Sequence, residues 1–121
     1  MRIIKFVFLV LIILLLTACV ESKKEVETVV VKDPSGIEFM SNQLLIYFDN
    51  NVTKEEIDLI KTDLNATTDD STLNEINLYM FTLKYKSFST LDELKKYCNE
   101  ISNKYKNITN CYANTIMYIE D

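Results

Sequence analysis

Two stretches of this 121-residue chain carry complete helix punctuation, and each lies between runs of strand-forming residues. In "NNVTKEEIDLIKTDLNAT", Thr53 stands at an N-cap position with Glu56 three residues on, the spacing of a capping box. Val52 can staple onto Ile57, and Ile57, Ile60 and Leu64 recur on one helical face. Asn65 falls where a helix stop wants a residue tolerant of positive φ. In "SFSTLDELKKYCNEISNKY", Ser89 and Asp92 have the same capping spacing, and Leu91, Leu94, Cys98, Ile101 and Tyr105 form the apolar stripe.

The intervening segments read as strands. "QLLIYFDN" sets Leu44, Ile46 and Phe48 against Leu45 and Tyr47, with both faces apolar. "ATTDDSTL" is short and polar and suits a sheet edge. "EINLYMFTLKY" carries Ile76, Leu78 and Met80 on one parity and Tyr79, Phe81 and Leu83 on the other. "NITNCYANTIMYIED" is rich in β-formers to the end of the chain. The order β-α-β-β-α-β predicts an α+β, ferredoxin-like domain over residues 42–121, with a four-stranded antiparallel sheet and two helices on one face. If Leu44, Ile46 and Phe48 face the helices, Leu45 and Tyr47 face away, and Tyr79, Phe81 and Leu83 are expected to join them. An apolar sheet face left open in this way implies a partner, an oligomer or a folded-back tether.

The N-terminus says where such a domain would reside. Arg2 and Lys5 precede eleven apolar residues, Phe6 to Leu16, and then the small pair Thr17-Ala18. This is the pattern of a secretory signal, and it is short of the roughly 20 residues a spanning helix needs. "LTAC" resembles the lipobox of bacterial lipoproteins, in which the chain is cut before the cysteine and the thiol receives a diacylglycerol. The resemblance implies a signal peptide at 1–18 and a lipid on Cys19. The mature protein would then be anchored in the bacterial envelope, on the outer side of the cytoplasmic membrane or in an outer membrane. Two or more acyl chains hold a protein on a bilayer where one barely does. The bacterial setting makes the sequons at Asn51, Asn65 and Asn107 incidental.

Residues 19–41 read as the lipidated cysteine and a tether that contains the chain's one Pro and one Gly, in "DPSG". Val29-Val31 is a short strand within that tether, or one that joins the domain's sheet. Loss of Arg2 and Lys5 with the signal leaves 11 basic and 18 acidic residues, a formal charge of −7. That balance argues against nucleic acid as a partner and against attraction to anionic head groups. Cys98 and Cys111 are an even pair in a small exported domain and are candidates for a disulfide. Parity opposes it: if Ile108 points to the core, Cys111 points away unless a bulge intervenes.

Little in the sequence supports catalysis. There is no histidine, and the single glycine lies in the tether, so no glycine-rich phosphate loop exists. The cysteines lack metal-binding spacing, and Asp69 and Asp70 lack the spaced ligands of a calcium loop. A non-enzymatic protein without metal or cofactor is the expectation.

Most of residues 43–121 resembles the subtilisin propeptides and the related propeptide-type protease inhibitors. The likeness rests on "QLLIYFDNNVTKEEIDLIKTDLNAT", "INLYMFTL" and "STLDELKKYCNEISNKYKNITNCYAN". Leu44, Ile46 and Phe48 match the family's apolar positions, whereas Asn65 replaces a glycine and Tyr112-Ala113-Asn114 stands where acidic residues are frequent. The resemblance implies an open sheet face packed on a subtilisin-like protease and a C-terminal tail in its cleft. On that view Tyr47, Tyr79 and Phe81 form the flat contact, and Ile116 to Asp121 enter the cleft, with Tyr118 and Asp121 among the contact residues. The other expected partner is an unidentified envelope protein. Cys19→Ala should yield an unprocessed or misprocessed precursor, while the wild type enters the detergent phase on phase partitioning. Mature wild-type protein free in the aqueous phase, without lipid mass, would refute the anchor.

Overall fold

The computed structural model of the chain describes residues 24–68 and 76–117. They form an α+β unit with five strands and two helices. In chain order these are β1 (Val30–Lys32), β2 (Glu38–Phe48), α1 (Lys54–Asp63), β3 (Ala66–Thr68), β4 (Leu78–Leu83), α2 (Leu91–Lys104) and β5 (Ile108–Ile116). All the strand pairings are antiparallel.

β2 is the central strand. β5 pairs with both its halves, through Glu38 and Phe39 and again through Leu44 to Phe48. A strand has only two edges, so β1 and β4 must share the opposite edge end to end. β1 takes Glu38–Met40 and β4 takes Gln43–Tyr47, with β3 outside β4. The sheet thus has five strands where four were expected, and the extra one comes from the expected tether. Val31 is β-branched and reaches the core, while "DPSG" closes a hairpin and does not form a linker. Gly36 supplies φ 92°, and Asp33 and Ile37 are bonded across the turn at 2.8 Å. Earlier in the chain, the Val26 amide donates to the Lys84 carbonyl at 2.8 Å. Ordered structure therefore begins well before residue 42.

The helices form where their caps place them. The Thr53 hydroxyl accepts from the Glu56 amide at 3.2 Å, and Asn65 adopts φ 50° just past α1. At α2 the cap is Thr90, one residue beyond the expected Ser89, and its hydroxyl accepts from the Glu93 amide at 3.3 Å. The Glu93 carboxylate reaches back to the Ser89 amide at 3.2 Å. The shift has a cause in the hairpin: Asp33 accepts from the Leu91 amide at 2.7 Å, fixing Leu91 as the first helical residue. Hydrogen bonds from Ser35 and then from Leu91 hold the Asp33 carboxyl below its ordinary pKa. The helix ends meet where the Tyr105 hydroxyl donates to Asp63 at 2.9 Å. Burial first, and that carboxylate second, push the Tyr105 phenol up to about 12.

One core results. Ile57 and Ile60 from α1 and Leu91, Leu94, Cys98 and Ile101 from α2 share it with Phe39, Leu44, Ile46, Phe48, Phe81 and Leu83. Two register breaks in the pairing of β2 with β5 shape it. Between Phe39 and Leu44, four residues of β2 pass a single residue of β5, Asn114. Ser41 and Asn42 are both buried there. The Asn42 amide donates to the Leu83 carbonyl at 2.8 Å, and its Oδ1 has no partner among the described residues. The second break adds Thr109 between the pairs Tyr47–Asn110 and Phe48–Ile108. Thr109 donates its hydroxyl to the Tyr47 carbonyl at 3.0 Å.

That added residue reverses parity, so Ile108 opposite Phe48 and Cys111 opposite Ile46 both face the core. Cys111 forms a disulfide with Cys98 of α2, with the Cα atoms 5.4 Å apart. Closing so short a loop stabilises by about 3 kcal/mol on the chain-entropy model. Alkylation without reduction should therefore add no group at Cys98 or Cys111 in the native protein. Cys98→Ser with Cys111→Ser should lower unfolding stability by about that amount. Two free thiols in the native protein would contradict the bridge.

Candidate functional site: the open face of the sheet

Antiparallel register fixes which residues share a face, because residues directly opposite one another project to the same side. Leu44 pairs with Phe81 and Ile46 with Tyr79, so Tyr79 and Phe81 lie on the helix side. Phe81 is 0% exposed. The expectation that Tyr79, Phe81 and Leu83 join Tyr47 on the open face is thereby corrected. Both parities of β4 are apolar, so alternation alone could not choose between them. Ring packing favours this choice: Phe48 lies 5.6 Å from Tyr79 and 6.0 Å from Phe81, centroid to centroid. The bulkier row fills the space beneath the helices.

The open face presents Leu45 and Tyr47 from β2, Leu78 and Met80 from β4, and Tyr112 from β5. Tyr112 pairs with Leu45, which pairs with Met80, and Tyr47 pairs with Leu78. The rings of Tyr47 and Tyr112 meet edge-on at 6.1 Å. Tyr112 is the most open of the five, at 53%. Beyond the larger register break the face continues through Met40 and Val30, which pair with each other, to Ile116 opposite Glu38. Among the described residues no helix or strand covers it.

Around Tyr112, Leu45 and Met80 its polar groups are amides and hydroxyls, while Lys32 and Glu38 lie opposite one another at its far end. The Asn114 amide donates to Gln43 at 2.8 Å and lies 3.7 Å from the Met80 sulfur. Thr82 accepts from Gln43 at 3.4 Å. Within Gln43–Tyr47, Leu78–Thr82 and Asn110–Asn114 there is no charged residue. The exposed charges of α1 and α2, such as Glu55, Asp58, Asp92, Lys95 and Glu100, lie on the opposite layer.

Of the residues expected to contact a partner, only Tyr47 lies on this face. Tyr118 and Asp121 fall outside the described residues, as do Cys19 and the acidic pair Asp69-Asp70. Leu78, Met80 and Tyr112 share this face but were not among the residues expected to contact a partner. The signal that could have found them is the uncharged character shared by three paired segments, which needs the pairing to be known.

Hollows lined by described residues include the following two. One, of about 290 Å³, includes Phe88, Tyr97 and Glu93, and Lys86 extends over the Tyr97 ring at 4.7 Å. The lysine thus serves as that aromatic wall's own cation. The other, of about 390 Å³, lies at the lower end of β5 beside Lys32, Ile37 and Ile116 and prolongs the open face. No group of three or more His, Cys, Asp or Glu among the described residues is placed to hold a metal. No described helix is long and apolar enough to cross a membrane.

The face assignment makes a measurable distinction. Phe81→Ala should cost about 3–5 kcal/mol of unfolding free energy, as a core aromatic truncation does. Tyr112→Ala should change it by only about 0.5 kcal/mol. Equal losses in chemical denaturation would mean that the two faces had been exchanged. No protein-family model, curated protein or solved structure matches this chain.

Proposed function

We propose that this is a membrane-anchored surface lipoprotein whose sheet binds a protein partner in the cell envelope through its open face. The observation that carries the binding half is the uncovered row Tyr112-Leu45-Met80 beside Tyr47 and Leu78, apolar at its centre and ringed by amides. Apolar centres with polar rims are the usual anatomy of protein contacts. The lipobox resemblance at Leu16–Cys19 supports the anchor. With Cys19 lipidated, only four residues separate it from Lys24, where the described structure begins. At roughly 3.5 Å per residue the domain would sit within about 20 Å of the bilayer.

A second reading, inhibitor or folding partner in trans of a subtilisin-like protease, has one observation in its favour. The strand order β5-β2-β4-β3, with the helices after β2 and β4, supports a ferredoxin-like arrangement, the fold the resemblance implies. Against it, Tyr79 and the buried Phe81 lie on the helix side, which removes two of its expected contact residues.

The test is sedimentation of protein extracted from the envelope in mild detergent. Wild type should travel as an assembly larger than its monomer, and Leu45→Asp with Tyr112→Asp should travel as the monomer. Removing an aromatic anchor from such a contact costs about 2 kcal/mol or more, roughly a thirty-fold loss of affinity. Wild type and variant sedimenting alike would overturn the reading.

A further inference from the structure

We infer that the occupant of the open face is a second copy of this chain, the two sheets packing face to face about a two-fold axis. This rests on the protein-binding reading above and names its partner.

Size is the first support. β2 is 11 residues long, about 37 Å at roughly 3.4 Å per residue, and three neighbouring strands span about 14 Å. The footprint is about 500 Å² per copy and about 1,000 Å² for the pair, the lower bound for a specific interface. A lone loop or helix would leave much of so long a face wet. A second sheet covers it, and sheets of equal twist stack with strands about 30° apart.

Charge is the second. A heterologous partner recognised by charge would find none between Gln43 and Tyr47, Leu78 and Thr82, or Asn110 and Asn114, and the charges of β1 and β2 on this face, Lys32 and Glu38, lie at its far end opposite one another in register. A second copy brings an equally uncharged centre and keeps its helix charges on the far side of its own sheet. The chemistry of the rim is the third. Gln43, Asn110, Asn114 and Thr82 each carry both donors and acceptors. In a two-fold contact each patch meets itself, which requires groups able to play both parts. Purely cationic or anionic rims could not do this.

The experiment places a photoreactive phenylalanine analogue at Tyr112, at Leu45 and, as control, at Leu59. Leu59 is 61% exposed on the solvent side of α1. The full-length protein is irradiated in intact envelopes. Resistance to limited proteolysis, matched to wild type, shows that each variant is folded. The expected result is an adduct of twice the monomer mass from Tyr112 and Leu45, containing peptides of this chain alone, and absent from Leu59. An adduct with a different polypeptide would overturn the second copy and leave protein binding by this face standing. Adducts with lipid only, or none from either position, would overturn both.

Discussion

Hydrogen bonding along both edges of β2 is the constraint on which the rest of the structure depends. One edge is filled by β5 and the other by β1 and β4 in succession. Each neighbour inherits its facing from β2, because opposite residues project together. The helices then have no choice of side. Leu44, Ile46 and Phe48 turn one way, and the stripes of α1 and α2 must cover them.

The two register breaks are where this strand departs from regularity, and each places a polar or covalent feature. At the lower break, Ser41 is drawn inward, where its amide and carbonyl bond Val29 and Phe88 at 2.8 and 2.7 Å. The break thus joins the β1 hairpin to the loop before α2. At the upper break, Thr109 lets Ile108 and Cys111 face the same side, and the disulfide to α2 follows. An irregular ladder loses some hydrogen bonds, and here the loss is offset by long-range ties elsewhere in the fold.

Much of this was legible in the sequence, for reasons that differ from residue to residue. The Thr53 cap and the positive φ at Asn65 are local chemistry, written within a few residues. The apolar stripe of α2 is equally local, and its four buried members are those its spacing predicts. The disulfide was conditional on a bulge that no local pattern announces, since Thr109 is added by pairing with β2. The facing of β4 was illegible for a similar reason: two apolar parities tie locally, and long-range packing of Phe48 against Tyr79 and Phe81 breaks the tie. β1 was hidden because a β-branched triplet beside a Pro-Gly turn suits a linker and a hairpin alike. At the candidate site only Leu45 and Tyr47 were placed on the correct face, since a surface assembled from three strands exists only once their register is fixed.

The hairpin clasp has a mechanical consequence. The chain enters through Val26, bonded to Lys84, passes along β1, and turns at Asp33, which holds the first amide of α2. Tension applied at the N-terminal end therefore meets these few bonds before it reaches Leu44, Ile46 or the disulfide-stapled layer. β1 is three residues long and lies at an edge, so it would peel away as a sacrificial link. Strain would be spent on a piece that can re-form, at the cost of one core contact, Val31, while the layer stapled by the disulfide would stay closed.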